Sequence, residues 1–201
     1  MGTESDMGSA KDPSSWDRRY AEGTARWDLG AAPPALTALL ARLDRPLRVL
    51  VPGCGYGHDA IAWAEAGHDV VGVDFAPLAI EGAYERARAA GVEVSWLQAD
   101  VFAMPDLPPF DAIWEQTCYC AIDVEDRDRY VRAIADVLKP GGRFFGLLWN
   151  HGQPGGPPHD VTPEDVRERF AEAFDVASVT RVTESAPTRS NEFFAELVRR
   201  G

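Results

Sequence analysis

The stretch VPGCGYGHDA, residues 51–60, follows a short apolar run and carries glycine at positions 53, 55 and 57. A glycine loop between an apolar run and a helical pattern is typical of the first strand, loop and helix of a doubly wound α/β sheet. In such sheets the ligand lies at the carboxyl ends of the strands, where glycine lets the backbone approach it closely. This stretch therefore predicts both the fold class and the position of the binding site.

The rest of the chain continues the alternation of strands and helices. Buried strands are predicted at RVLV, DVVGVD, VEVSWLQAD, FDAIWEQ and RFFGLLWN, which are residues 48–51, 69–74, 92–100, 110–116 and 143–150. Helical patterns occupy residues 59–67, 77–91, 124–142 and 162–174, the last with Thr162 as its N-cap. This spacing implies right-handed crossovers and a parallel sheet with helices on both faces. FDVASVTRV and NEFFAELVRR, residues 174–182 and 191–200, predict a closing antiparallel hairpin, so we expect seven strands, most of them parallel.

Length and charge limit the classes of function. The chain has 201 residues, of which 45% are hydrophobic, enough for one compact domain over residues 16–201 after a disordered leader, 1–15. A net charge of -12 disfavours nucleic acid and anionic membrane as partners. Three cysteines and a start without a secretory pattern favour the cytoplasm, and we expect a monomer that acts on a small molecule.

Two residues distinguish this glycine loop from the loops that bind dinucleotides. His58 stands where a dinucleotide loop needs its last glycine, and Asp59 places a negative charge in the first turn of the following helix. That charge suits the helix dipole but would repel a pyrophosphate. The loop therefore favours a nucleoside cofactor without phosphates, such as S-adenosylmethionine, over the nicotinamide cofactor of an oxidoreductase.

The ends of the second and third strands carry groups suited to a nucleoside. Asp74 ends the second strand, 21 residues after Gly53, where a carboxylate accepts hydrogen bonds from ribose hydroxyls. The alternative role of Asp74 is to cap the helix that begins near PLAI. Asp100 is placed to accept from an adenine amino group, and the amide of Val101 to donate to a ring nitrogen.

With these residues assembled, the sequence resembles the class I S-adenosylmethionine-dependent methyltransferases, which have a Rossmann-like fold. From Trp16 to about Thr162 it resembles, more narrowly, the thiopurine and thiol/halide methyltransferase family. The matching segments are LVPGCGYGHDA, VVGVDFAPLAIE, FDAIWEQTCYCAI, DRDRYVRAIADVLKPGG and GGPPHDVTPEDV. Pro52, unusual for methyltransferases at large, is expected in this branch.

The resemblance also implies a cofactor lid over residues 16–34. WDRRYAEGTARWDLG, residues 16–30, is similar to the family's lid, in which aromatic residues recur at offsets 0, 4 and 11: here Trp16, Tyr20 and Trp27. Relatives usually carry tryptophan in the middle position. Aromatic faces attract a sulfonium cation by roughly 0.5–2 kcal/mol. Packing of a helix on the sheet is the alternative explanation for Trp16 and Tyr20.

By the same resemblance, Gly53, Asp74, Asp100, Val101 and Gln116 occupy cofactor-binding positions. The position of Gln116 is often tyrosine in thiol/halide relatives and arginine in thiopurine enzymes. The missing arginine argues against a thiopurine-like acceptor. Gln116 would then bind the methionine carboxylate of the cofactor or face the acceptor.

The expected reaction is the in-line transfer of a methyl group to a small soft nucleophile, first of all a thiol sulfur, with release of S-adenosylhomocysteine. A thiol needs little activation, so no catalytic residue is assigned; Glu115 is a base or a structural contact. Cys118 and Cys120 lack a second pair at zinc spacing, so we expect buried side chains and no metal. Tyr119 either lines the acceptor pocket or packs, and Trp149 is expected in the core. Oxygen or nitrogen acceptors, or an inactive cofactor-binding scaffold, remain alternatives.

Overall fold

The structure is a computed structural model and describes residues 12–186 and 188–201. Most of the predicted leader, residues 1–11, lies outside the described part. Asp12 is already ordered: its side chain accepts from the amide of Ser14 and caps helix α1 (Pro13–Ala21). Helix α1 therefore begins at Pro13, within the predicted leader, and the division into leader and domain stays a prediction.

Seven strands form one sheet in the order β3-β2-β1-β4-β5-β7-β6. Strands β1 to β5 run parallel, and β7 is antiparallel to both β5 and β6. The predicted fold, including the closing hairpin, is confirmed. The strands are β1 (Arg48–Pro52), β2 (Asp69–Asp74), β3 (Ser95–Gln98), β4 (Phe110–Gln116), β5 (Leu138–Trp149), β6 (Phe174–Arg181) and β7 (Glu192–Arg199).

The helices begin and end largely where capping residues indicate. Gly91 ends α4 in the left-handed region with φ of 72°, which glycine adopts without strain. The hydroxyl of Thr162 accepts from the amide of Asp165 at 3.0 Å, so its role as an N-cap is confirmed. The remaining helices are α2 (Pro34–Leu40), α3 (His58–Glu65), α4 (Pro77–Ala90), α5 (Arg127–Val137) and α6 (Pro163–Arg169).

The boundary between α5 and β5 differs from the prediction. The helix was expected to be stopped by Pro140 and the glycines after it, but it already ends at Val137, and β5 begins at Leu138. Leu138 pairs with Phe110 of β4 and Arg143 with Ala112, and the register shift between these two pairs takes up the intervening residues, 139–142. Strand pairing therefore overrides the local helical pattern. Similarly, α6 ends well before residue 174, because buried Phe174 opens β6.

Helices cover both faces of the sheet, and β4 supplies side chains to both. Ile113 packs with α5 and α6, whereas Ala112 and Trp114 pack with α2 and α3. Since side chains alternate along a strand, Glu115 shares the α5 face and Gln116 the α3 face. Within the described residues, no helix has the length and apolar character needed to cross a membrane.

Candidate active site

A cavity of about 930 Å³ lies at the carboxyl ends of the parallel strands, under the N-terminal lid. Its position is the one that the glycine loop predicts. Every predicted cofactor residue except Gln116 lines it: Trp16, Tyr20, Trp27, Gly53, Asp74, Asp100 and Val101. The cavity thus brings together residues from the lid and from three strand ends.

The glycine loop after β1 is packed too closely for side chains. Gly53 has φ of 57°, and a Cβ there would lie 2.7 Å from the Cβ of Cys118. Gly55 has φ of 52°, and its Cβ would lie 3.1 Å from the hydroxyl of Tyr20. The loop therefore contacts both the segment after β4 and the lid, and it leaves bare backbone facing the cavity.

Asp74 links the glycine loop to the chain before α4, and its assignment to ribose stays a prediction. Its carboxylate is 7% exposed and accepts from the amide of Gly55 at 2.9 Å and from the amide of Ala76 at 3.0 Å. One oxygen thus holds the glycine loop and the other holds the chain just before α4. Each carboxylate oxygen has a second lone pair for a ribose hydroxyl. Burial raises the pKa of Asp74.

The lid residues form an aromatic wall. The rings of Trp16 and Trp27 lie 4.9 Å apart, and those of Tyr20 and Trp27 lie 5.5 Å apart at 90°. The indole Nε1 of Trp27 donates to the hydroxyl of Tyr20 at 3.1 Å. Tryptophan, which relatives usually carry at this position, has no such acceptor. The hydroxyl of Tyr20 therefore helps to hold the indole of Trp27 in place.

Replacing Tyr20 by phenylalanine keeps the ring and removes the acceptor for Trp27. A neutral hydrogen bond contributes about 0.5–1.5 kcal/mol, so we expect binding of S-adenosylmethionine to weaken about 2- to 10-fold. Quenching of tryptophan fluorescence measures that affinity. The control is Tyr84→Phe on the 64% exposed Tyr84, which should bind as the parent does. Equal affinities for Tyr20→Phe and the control would contradict this role.

His58, which stands in the place of a third glycine, contacts the lid. Its Nε2 lies 3.2 Å from Oδ1 of Asp28, and hydrogen bonding to His58 lowers the pKa of that carboxyl. The neighbouring Asp59 is turned inward and accepts from the indole of Trp114 at 2.6 Å. Burial raises the pKa of Asp59 to about 6.

At the end of β4 the chain turns sharply beside the cavity. Gln116 does not line the cavity, and its assignment to the cofactor stays a prediction. Directly after it the chain turns through Thr117, which has φ of 69°. This turn brings Thr117, Cys118 and Cys120 to the cavity wall. Cys120 is buried as expected, whereas Cys118 is partly exposed, and both line the cavity.

Arg189 is a functional candidate that sequence analysis missed. Its side chain is only 4% exposed, yet it lines the cavity. It donates to the carbonyl of Trp27 at 2.9 Å and lies 5.4 Å from the ring of Trp149 and 3.9 Å from the carboxylate of Glu192. Trp149 also lines the cavity. It was expected in the core, and that prediction is wrong. The segment between β6 and β7 has no motif that would have indicated Arg189.

The loop between β5 and α6 closes the same end of the cavity. Asp160 accepts from the side chain of Asn150 at 3.1 Å and from the amide of Gly152 at 3.0 Å. The amide of His159 donates to the carbonyl of Cys120. Pro157 and Pro158 thereby reach the cavity wall. Neither His151 nor His159 is among the lining residues.

Glu115 lies behind the cavity wall, with no exposed surface. Its Oε1 accepts from the amides of Cys118 and Tyr119, at 2.9 and 2.8 Å, and its Oε2 accepts from the hydroxyl of Tyr130. Burial raises the pKa of Glu115 to about 7. Tyr119 is buried and its hydroxyl donates to Asp165 at 2.9 Å, so this tyrosine packs rather than lines the pocket.

The raised pKa values of Glu115 and Asp59 predict that the folded protein loses stability as pH rises. Between the ordinary pKa of each carboxyl and its value in the fold, the folded state binds more protons than the unfolded chain. The stabilising contribution is therefore complete below about pH 4 and is lost as pH rises through about 6 and 7. We expect Glu115→Gln to flatten the fall in free energy of unfolding between pH 5 and 8, measured by urea denaturation. An equally steep fall in Glu115→Gln would contradict the assignment.

The chain matches the family Thiopurine S-methyltransferase (TPMT) over residues 11–199. Thiocyanate methyltransferase 1 of Arabidopsis thaliana is 32% identical over 88% of this chain and 80% of its own length. Thiopurine S-methyltransferase of Photobacterium profundum is 25% identical over 92% of this chain and 96% of its own length.

Solved structures agree on the fold. The N-methyltransferase NodS of Bradyrhizobium japonicum, in complex with S-adenosylhomocysteine, has a TM-score of 0.74 at 18% identity and covers 96% of this chain and 100% of its own. The 1,6-didemethyltoxoflavin-N1-methyltransferase of Burkholderia thailandensis has a TM-score of 0.75 at 24% identity and covers 94% of this chain and 86% of its own.

Fold and family together define an S-adenosylmethionine-dependent methyltransferase with a class I, Rossmann-like fold. More narrowly, the chain belongs to the thiopurine S-methyltransferase family.

Proposed function

We propose that this enzyme methylates the sulfur of a small thiol, which binds in the half of the cavity opposite the nucleoside. The observation that carries the proposal is the composition of that half. It is closed by Trp149, Pro157 and Pro158 and contains one buried guanidinium, that of Arg189. An apolar, aromatic wall beside a cation suits a large, polarisable anion such as a thiolate. Relatives named for thiocyanate, thiol and thiopurine substrates support a sulfur acceptor.

The residues present fit S-adenosylmethionine at the other half. Asp74 has free lone pairs for ribose hydroxyls, and the glycine loop presents backbone where any Cβ would clash. When bound, the cofactor supplies an activated methyl group on a sulfonium. The proposed cofactor residues are Trp16, Tyr20, Trp27, Gly53, Asp74, Asp100 and Val101, with Gln116 the one outside the cavity wall.

The chemistry asked of the protein is mainly alignment and exclusion of water. The lid and the loop that carries Pro157 enclose the reacting centre, and an enclosed site strengthens each electrostatic interaction within it. Arg189 would hold the acceptor sulfur as an anion from one side. Because the donor is already activated, correct placement of the two partners accounts for most of the expected rate.

Release of S-adenosylhomocysteine over a panel of acceptors tests the proposed function. The panel contains small alkyl and aryl thiols, thiocyanate, iodide, a thiopurine, a phenol and a primary amine. We expect turnover on thiols and on the soft anions, and none on the phenol or amine. Turnover confined to the oxygen or nitrogen acceptors would contradict the proposal and favour a methyltransferase of another acceptor class.

We further propose that the enzyme works as a monomer in the cytoplasm. Its three cysteines are all unpaired, which suits a reducing compartment. The large negative charge disfavours association with nucleic acid or an anionic membrane. Light scattering after size exclusion should give the mass of one chain, and a mass of two or more would contradict the monomer.

A further inference from the structure

Three neighbouring side chains connect the cavity with a carboxyl group buried behind it. Cys118 lines the cavity, and its thiol lies beside the hydroxyl of Tyr130. The same hydroxyl donates to Oε2 of Glu115. Cys118 follows β4, Glu115 lies on β4, and Tyr130 reaches both from α5.

Capping of the loop after β4 does not account for this arrangement. Only Oε1 of Glu115 accepts from the amides of Cys118 and Tyr119. Glutamine would offer the same oxygen without burying an ionisable carboxyl, whose charged form loses several kcal/mol of hydration. The second oxygen, Oε2, accepts from the hydroxyl of Tyr130. That hydroxyl lies beside the thiol of Cys118 in the cavity wall.

We propose that Cys118, Tyr130 and Glu115 form a proton relay that takes the proton from a neutral thiol acceptor. This inference rests on the proposed function. The S–H bond of the acceptor breaks, and its electron pair stays on the acceptor sulfur. The released proton passes to Sγ of Cys118, the proton of Cys118 to the oxygen of Tyr130, and the proton of Tyr130 to Oε2 of Glu115. The acceptor is left as a thiolate and Glu115 as a neutral acid, which returns its proton by the reverse path to water in the emptied cavity.

The electrostatics suit a relay. Burial raises the pKa of Glu115 to about 7, so it accepts a proton near neutral pH. Burial also raises the pKa values of the Cys118 thiol and the Tyr130 hydroxyl, so these two pass a proton without remaining ionised. The other titratable and charged groups that face the relay are Asp59 from α3, Asp74 from β2, Cys120 beside Cys118, and Arg127 and Arg189 near Cys120.

Acceptors that carry no proton bypass the relay, which gives a sharp test. The dependence of kcat/KM on pH is measured with free cysteine, whose thiol has an ordinary pKa of about 8.5, and with iodide, in the parent and in Glu115→Gln. In the parent, kcat/KM for the thiol should rise to a plateau just above pH 7, whereas in Glu115→Gln it should follow the thiol's own ionisation. Since only a few per cent of a thiol is ionised at pH 7, the ratio of kcat/KM for thiol over iodide should fall about 10- to 30-fold there.

A second variant and a control distinguish a loss of proton transfer from a loss of activity caused by disturbed packing. Tyr130→Phe leaves the cap of Glu115 intact and breaks the relay, so it should lower the same ratio. Tyr119→Phe removes a neighbouring buried hydroxyl that bonds to Asp165 outside the relay, and the ratio should stay within about twofold. Equal losses on thiol and iodide in both Glu115→Gln and Tyr130→Phe would overturn the relay. Failure of every acceptor in the parent enzyme would overturn the proposed function and the relay with it.

Infrared difference spectroscopy provides a readout without turnover. As pH falls through about 7, the parent should gain the carbonyl band of one protonated carboxyl that is missing in Glu115→Gln. In Tyr130→Phe that band should shift in frequency, because the carboxyl has lost its hydroxyl partner. A band unchanged by Tyr130→Phe would contradict the contact on which the relay depends.

Discussion

Asp74→Ala is expected to weaken binding of S-adenosylmethionine by at least about 100-fold. Under the proposed ribose assignment, the substitution removes two hydrogen bonds from ribose hydroxyls to a charged acceptor, each contributing about 1.5–3 kcal/mol. It also leaves the amides of Gly55 and Ala76 without their acceptor, so the glycine loop loses its support. Isothermal titration calorimetry measures the dissociation constant directly.

Two further variants show whether the loss comes from the site. Asp74→Asn keeps an oxygen for one of the two amides but removes the charge, and we expect an intermediate loss of about 10-fold. Asp175→Ala removes an aspartate whose side chain is 70% exposed at the far edge of the sheet, and affinity should not change. An unchanged dissociation constant in Asp74→Ala would overturn the ribose assignment.

Arg189→Met is expected to lower kcat/KM for thiol acceptors by about 10- to 100-fold. A hydrogen bond to a charged group contributes about 1.5–3 kcal/mol, and methionine fills similar space without a charge. The carbonyl of Trp27 also loses its donor, so we expect cofactor affinity to fall by only a few-fold. Steady-state kinetics at saturating cofactor separates the two effects.

Arg189→Lys distinguishes the charge from the contact with the lid. Lysine retains the cation but not the planar donor geometry of arginine, so it should recover part of kcat/KM. Arg143→Met, at a side chain that is 50% exposed in an ion pair with Glu196, should behave as the parent does. If kcat/KM in Arg189→Met stayed within threefold of the parent, the proposed anion site would be wrong.

Local sequence signals predicted the fold and the half of the cavity that we propose for the cofactor. The glycine loop and Asp74 are tied together by a strand and helix of regular length, so their spacing predicts that they meet. Asp100 and Val101 follow the next strand and were placed by the same rule. Tyr20 and Trp27 required the family resemblance, because helical spacing alone fits packing equally well.

The half of the cavity that we propose for the acceptor is formed by contacts between distant parts of the chain. Arg189 meets Trp27 across 162 residues, and Tyr130 meets Glu115 only because α5 packs on β4. No local pattern encodes such contacts. The turn at Thr117, which brings Cys118 to the cavity and leaves Gln116 outside its wall, is likewise a product of packing.

A crystal structure with S-adenosylhomocysteine tests the account most directly. It should show both ribose hydroxyls within hydrogen-bond distance of the Asp74 carboxylate, with the cofactor sulfur directed toward the half of the cavity that holds Arg189. A nucleoside bound away from Asp74, or a sulfur directed away from Arg189, would contradict the account.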